Sequence, residues 1–265
     1  MKIAFDYQIF SQQSYGGISR YYSRLATELL KLEQDVSIFA GVHRNNYLSD
    51  LPNGVVKGRK LAKYPPKTGK LRQYANHYWL NYQINVWKPE VIHETYYSNF
   101  TPNINNVPRI VTAHDIIHEL FSETLNKNNI ITQRKITTFN RADHIISISH
   151  NTKKDLIEFF GISPEKITVI HLASNIFSHS NLNSIFPNSS KPFLLYVGPR
   201  DGYKNFNCFL EAVSLSQKLI DEFDIIAFGG GVLSSAEQAI IHSLGFKNGQ
   251  VRQIGGDDLV LSSLY

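Results

Sequence analysis

The chain has 265 residues, 42% hydrophobic and 18% charged, the balance of an ordinary soluble globular protein with one large domain or two small ones. A single cysteine, Cys208, excludes an internal disulfide framework, and no apolar run approaches the roughly 20 residues needed to cross a bilayer. The net charge of +5 suits an anionic ligand, a membrane surface or a nucleic acid, and does not choose among them.

Met1-Lys-Ile-Ala-Phe-Asp6 reads as a strand from the outset rather than as a signal peptide. After Gly16-Gly17, Tyr21, Tyr22, Leu25, Leu29 and Leu32 recur at helical spacing, and Val36 to Ala40 forms the next strand. Strand, glycine loop, helix and strand open a parallel α/β sheet. The glycine pair permits close approach of a ligand phosphate, or simply makes a tight turn; the residues alone fit both.

From Lys57 to Arg72 there are seven basic residues (Lys57, Arg59, Lys60, Lys63, Lys67, Lys70 and Arg72) and no acidic one. Tyr74, Tyr78, Trp79, Tyr82 and Trp87 follow at near-helical spacing. Such a stretch suits docking on an anionic membrane surface. The plainer expectation, favoured here, is a solvated loop before a helix whose aromatics pack into the core. No nucleic-acid recognition module is matched.

Glu90 to Glu94 and Arg109 to Ala113 read as strands, the second running into Thr112-Ala-His-Asp115. A histidine at the C-terminal end of a parallel strand stands where open α/β sheets bind ligands. His114 therefore suits proton exchange with a substrate hydroxyl, or packing in the crevice. His118 and Glu119 have no metal-ligand spacing, so no metal is expected. Asp143 to Ser149 is a strand, and His150 to Phe160 a helix with Thr152 and Asp155 in a capping pattern that ends at Gly161. Lys166 to His171 is another strand. The polar segment from Phe177 to Lys191 reads as a linker, giving domains 1–177 and 192–265 joined by 178–191.

Phe193 to Val197 is an apolar strand that breaks at Gly198-Pro199, places Arg200 and Lys204 in the turn, and enters a helix from Phe206 to Leu219. A helix N-terminus with two nearby cations suits an anion, and solvated charges in an ordinary loop fit as well. Cys208 reads as buried packing in that helix. Strands at Phe223 to Phe228 and Gln250 to Ile254, the run Gly229-Gly-Gly231, a helix from Ser235 to Leu244 and a last turn from Asp257 complete the pattern.

Taken in order, Gly16-Gly17-Ile18, Thr112-Ala-His-Asp115, Arg141-Ala-Asp-His-Ile-Ile-Ser-Ile-Ser149 with Thr152-Lys-Lys-Asp-Leu156, Tyr196-Val-Gly-Pro-Arg-Asp-Gly-Tyr-Lys-Asn205 and Ile254-Gly-Gly-Asp-Asp-Leu-Val-Leu-Ser-Ser-Leu-Tyr265 resemble the retaining nucleotide-sugar glycosyltransferases of group 1. These have the GT-B architecture of two Rossmann-like domains. The resemblance implies an N-terminal acceptor-side domain and a C-terminal nucleotide-sugar-binding domain. It implies that Arg200 and Lys204 hold the donor diphosphate, that Gly16, Gly17 and Gly198 approach the donor closely, and that His114 contacts the donor sugar.

It further implies a UDP- or GDP-sugar donor, a glycan or lipid-linked acceptor in bacterial surface polysaccharide synthesis, and no metal or cofactor. A cytoplasmic location follows; peripheral contact at the inner membrane face through the basic stretch 57–72 stays open as the alternative to the solvated loop. The family's Glu-x7-Glu motif lies beyond Tyr265, so the second domain is expected to be incomplete and activity impaired. A non-catalytic remnant or membrane- or partner-binding protein is the alternative, and an enzyme such as a sugar-nucleotide epimerase a third reading.

Overall fold

The computed structural model describes residues 1–100, 102–103, 106–120, 129–173, 191–200 and 202–265. Two compact units divide the chain, Met1–Leu172 and Ala173–Tyr265. Of the expected linker 178–191, only Lys191 lies within the described residues.

In the first unit, β1 (Lys2–Phe5) leads through the short helix α1 (Gln8–Gln12) into α2 (Gly17–Lys31) and β2 (Asp35–Ile38). β3 (Val42–His43) and β4 (Arg59–Lys60) form a small separate parallel pair, and α3 (Gly69–Trp87) follows. Then come β5 (Val91–Glu94), β6 (Arg109–Ala113), α4 (Ile117–Leu120), α5 (Asn129–Arg141), β7 (His144–Ser147), α6 (His150–Phe160) and β8 (Ile167–Val169). The main sheet is parallel throughout, in the order β2-β1-β5-β6-β7-β8. Both faces are covered, so apolar side chains of β1 and β5 such as Phe5 and Ile92 have no exposed surface. The chain winds outward from β1 to β2 and then returns to β5 on the other side. The strand order therefore reverses between β1 and β5, and open α/β sheets bind ligands outside the C-terminal ends of strands at such a reversal.

In the second unit, β9 (Phe193–Val197), α7 (Phe206–Ser214), α8 (Gln217–Glu222), β10 (Asp224–Phe228), α9 (Ser235–Ser243), β11 (Val251–Ile254) and α10 (Asp258–Leu264) alternate. Its parallel sheet has the order β11-β10-β9. Phe206, Leu210, Val213, Ile225, Ala227, Phe246 and Val251 make its core.

Four expectations are corrected. Tyr74, Tyr78 and Tyr82 do not enter the core; they are 51%, 70% and 63% exposed, whereas Asn76, Leu80 and Ile84 carry the buried face of α3. Two residues along a helix is a rotation of about 200°, so these two sets face opposite ways. Cys208 is exposed for the same reason, two positions from buried Phe206. The helix expected from Phe206 to Leu219 breaks after Ser214, because the Ser216 hydroxyl accepts the Leu219 N–H and caps a second helix. At α6 the capping residue is Ser149, which accepts from the Thr152 N–H, rather than Thr152.

Candidate functional site

The first unit gathers an array of polar and aromatic groups at the sheet reversal. Asp6 directly follows β1 and is buried, and its Oδ1 accepts from the N–H of Thr95 at 2.9 Å, the hydroxyl of Thr95 at 2.5 Å and the N–H of Gln8 at 3.2 Å. Burial, and then the charge of Glu94, raise its carboxyl to about 7. Glu94, at the end of β5, is held by both arms of Arg141: Nε donates to Oε1 at 3.0 Å and Nη2 donates to Oε2. The other terminal nitrogen of Arg141 donates to the Ser98 carbonyl at 2.6 Å, which fixes the loop beyond β5. These residues shape the C-terminal edge of the sheet. The local sequence does not announce Glu94–Arg141, because the partners are 47 positions apart. Asp6 was findable from its place at a strand end.

His114 follows β6 on the same edge. Tyr21 of α2 meets its ring edge-on, with centroids 5.4 Å apart, and Tyr22 does so at 6.0 Å. Its backbone N–H donates to the Tyr97 hydroxyl at 3.4 Å. Burial lowers the imidazole to about 4 against a smaller opposing effect of Asp115, so the ring is neutral at pH 7. Its Nε2 is buried with no hydrogen-bond partner among the described residues. An unsatisfied ring nitrogen at a strand end is a suitable contact for a substrate hydroxyl.

Gly16 and Gly17 begin α2, one turn before Tyr21, so the structure brings them to the edge that carries His114. A Cβ on Gly16 would stand 2.4 Å from Oε1 of Gln13, the oxygen that accepts the Ser19 N–H and caps the helix. A side chain at this position would displace the Gln13 amide from that cap. The segment after His114 is tied down by Lys135, whose buried ammonium donates to Glu119 at 2.7 Å and to the Asp115 carbonyl at 3.0 Å.

In the second unit three consecutive strands end in glycine turns: Gly198 after β9, Gly229 to Gly231 after β10, and Gly255 and Gly256 after β11. The N–H of Gly198 donates to the Phe228 carbonyl and that of Gly229 to the Ile254 carbonyl, so the turns continue the ladder edge to edge. Gly198 has φ +126°, and the Lys204 ammonium lies 3.6 Å from where its Cβ would stand. Lys204 itself is exposed.

Arg200 is neither solvated nor displayed at the mouth of the turn, and the reading of its turn is corrected on that point. Its side chain is 4% exposed; Nε donates to Glu237 at 2.6 Å, and the terminal nitrogens donate to the Gly229 carbonyl at 2.8 Å and the Val232 carbonyl at 3.1 Å. The hydrogen bonds from Arg200 hold Glu237 at about 2. A Cβ on Gly230 would meet Nη1 of Arg200 at 2.7 Å, which explains a glycine there. Arg200 therefore builds the glycine loop, while Lys204 is the cation presented beside it.

The family model of Glycosyltransferase Family 4 matches residues 15–175. No curated protein matches the chain in sequence. Among solved structures the chain is similar to WaaG, a glycosyltransferase involved in lipopolysaccharide biosynthesis, at 16% identity and TM-score 0.69, covering 99% of this chain and 72% of that one. A glycosyltransferase from Rickettsia africae ESF-5 aligns at 16% identity and TM-score 0.63, covering 98% and 69%. UDP-GlcNAc 2-epimerase from Methanocaldococcus jannaschii aligns at 14% identity and TM-score 0.60, covering 99% and 76%. At these identities the likeness concerns the fold, which is of the GT-B type.

Proposed function

The chain belongs to Glycosyltransferase Family 4, and from that premise we propose that it transfers a sugar from a UDP- or GDP-sugar to a glycan or lipid-linked acceptor of a surface polysaccharide, with retention at the anomeric carbon and without a metal. The observation that carries the donor side of this reading is the Lys204 ammonium beside Gly198, at the C-terminal edge of a parallel sheet whose strands all end in glycine turns. A diphosphate leaving group gains negative charge as the glycosidic bond breaks, and a fixed cation in place before the reaction stabilises that charge. Gly198 lets the backbone come close to it.

Arg200 acts as a positioning residue, holding the carbonyls of Gly229 and Val232 so that the loop keeps its shape. On the first unit, the neutral His114 offers Nε2 to a hydroxyl of the donor sugar, and Gly16 and Gly17 open the helix start to the donor. With an imidazole value near 4, His114 orients the sugar rather than exchanging protons at neutral pH.

The test is release of nucleoside diphosphate from a panel of UDP- and GDP-hexoses, with and without a glycolipid extract as acceptor. Lys204→Ala should lower kcat/KM by about 10² to 10³, the usual size of one lost charge-stabilising group, with the fold unchanged. EDTA should leave the rate unaltered. The likeness to an epimerase fold supports a second reading, in which the nucleotide sugar is isomerised with no acceptor; that product, together with an acceptor-independent rate, would replace the transferase reading.

A further inference from the structure

The ammonium of Lys135 lies where a helix packed on a sheet ordinarily carries an apolar side chain. Lys135 is on α5, is 1% exposed, and stands one turn before Phe139, which is wholly buried. A charge taken so far out of water must be compensated by its neighbours. Those neighbours belong mostly to the stretch that begins at His114. Nζ donates to the Asp115 carbonyl at 3.0 Å and to Oε2 of Glu119 at 2.7 Å, and it lies 3.7 Å from Oδ1 of Asp115. The ring of Tyr97 completes the surroundings, its centre 5.5 Å from Nζ.

These contacts hold a piece of chain with little structure of its own. The helix α4 is a single turn of four residues, too short to be stable alone. Glu119 ties it to α5 with both oxygens, since Oε1 accepts from the Thr132 hydroxyl at 2.9 Å. Oδ1 of Asp115 accepts the Ile117 N–H at 3.4 Å at the start of the turn. His114 is thereby bracketed. On one side its N–H donates to the hydroxyl of Tyr97, the ring beside which Lys135 lies. On the other, the next carbonyl along the chain accepts from Lys135 itself. Tyr21 and Tyr22 confine the imidazole edge-on, and its Nε2 has no hydrogen-bond partner among the described residues. Where Nε2 stands is therefore decided by the backbone on either side.

We infer that Lys135 is a positioning residue, which sets His114 at the sheet edge so that Nε2 meets a hydroxyl of the donor sugar. The inference rests on the reading of His114 as the sugar contact. Lys135 itself touches no sugar; its whole effect passes through His114. A misplacement of about 1 Å in an aligned group is enough to cost up to about a hundredfold in rate. A buried ion pair that only held the fold would behave differently. Exchanged for uncharged groups of similar size it costs little, and whatever it costs is independent of His114.

The experiment is a mutant cycle on the full chain. Lys135→Met is combined with Glu119→Gln, which keeps an oxygen for the Thr132 hydroxyl and leaves no carboxylate stranded. His114→Ala and the triple variant complete the cycle. Calorimetry follows UDP-glucose, UDP-galactose and GDP-mannose, each beside its free nucleoside diphosphate. For the nucleotide sugar that the wild-type chain takes, the Lys135–Glu119 variant and His114→Ala should each weaken binding about tenfold, the size of one neutral hydrogen bond. The triple variant should be within about twofold of His114→Ala, because the two changes remove the same contact. The free diphosphate should bind every variant alike. Costs that multiply in the triple variant would overturn the proposal. Imidazole NMR signals give a readout that needs no ligand. Those of His114 should shift in the Lys135–Glu119 variant, while those of His144 and His150 stay in place and report an intact fold. An unshifted His114 would also overturn the proposal. If His114→Ala binds every nucleotide sugar as the wild-type chain does, the sugar-contact reading falls instead, and the His114 signal alone decides whether Lys135 holds the ring.

Discussion

His93 and His114 sit inside the first unit as neutral rings, and Asp6, buried after β1, keeps its proton unusually well. Burial lowers His93 to about 3 and His114 to about 4, whereas an unfolded chain protonates histidine near 6.5. Their contribution to stability is complete above 6.5 and is lost as pH falls toward the folded values. Asp6 acts in the opposite sense. With its carboxyl raised to about 7, the stability linked to it is complete below 3.8 and is lost as pH rises through 7. Between pH 6.5 and 5, two histidines oppose one aspartate, and the first unit should lose about 1.5 kcal/mol of stability. Asp6→Asn, which keeps the oxygen that accepts from Thr95 and Gln8, should roughly double that loss. Urea denaturation at the two pH values checks this, and equal midpoints in the native chain would sink it.

At the scale of elements, what was legible depended on whether one periodicity dominated. The strand Phe193 to Val197 and the helix His150 to Phe160 read correctly because each shows a single pattern with a clear stop, Gly198 in one case and Gly161 in the other. The helix α3 did not, because both its faces carry large apolar residues and the pattern does not say which is inside. The deciding residue is polar: Asn76 replaces a neighbouring strand for Val42, a role fixed by a segment 34 positions away. The same distance problem hid Arg200. Its turn was visible, but Glu237, 37 residues on, decides that the guanidinium is buried. Asn76→Ala should therefore cost the first unit about 1 to 3 kcal/mol, since two partly buried backbone groups lose their partner. Tyr78→Ser, on the opposite face of the same helix, should change stability by less than about 0.5 kcal/mol. Equilibrium urea curves of the two variants separate these outcomes, and equal costs would mean that the amide clamp does not hold the helix.

For the whole molecule, the apolar clusters respect the division into units. Two clusters, one around Phe5, Tyr22 and Ile38 and one around Phe139, Ile145 and Leu156, lie within residues 1–172, and the cluster around Phe206 and Ile225 lies wholly within the second unit. Cooperativity follows shared burial, so separate cores predict separate transitions. The full chain should denature in two steps, and residues 1–172 produced alone should reproduce one of them with its midpoint unchanged. The other step then belongs to the second unit and offers a direct readout of the glycine loop. Glu237→Ala strands the buried Arg200 without its carboxylate and should lower that step alone, by about 3 kcal/mol, leaving the first unit's transition in place. A single transition shifted as a whole by Glu237→Ala, with residues 1–172 unfolded in isolation, would mean that the two cores stand or fall together.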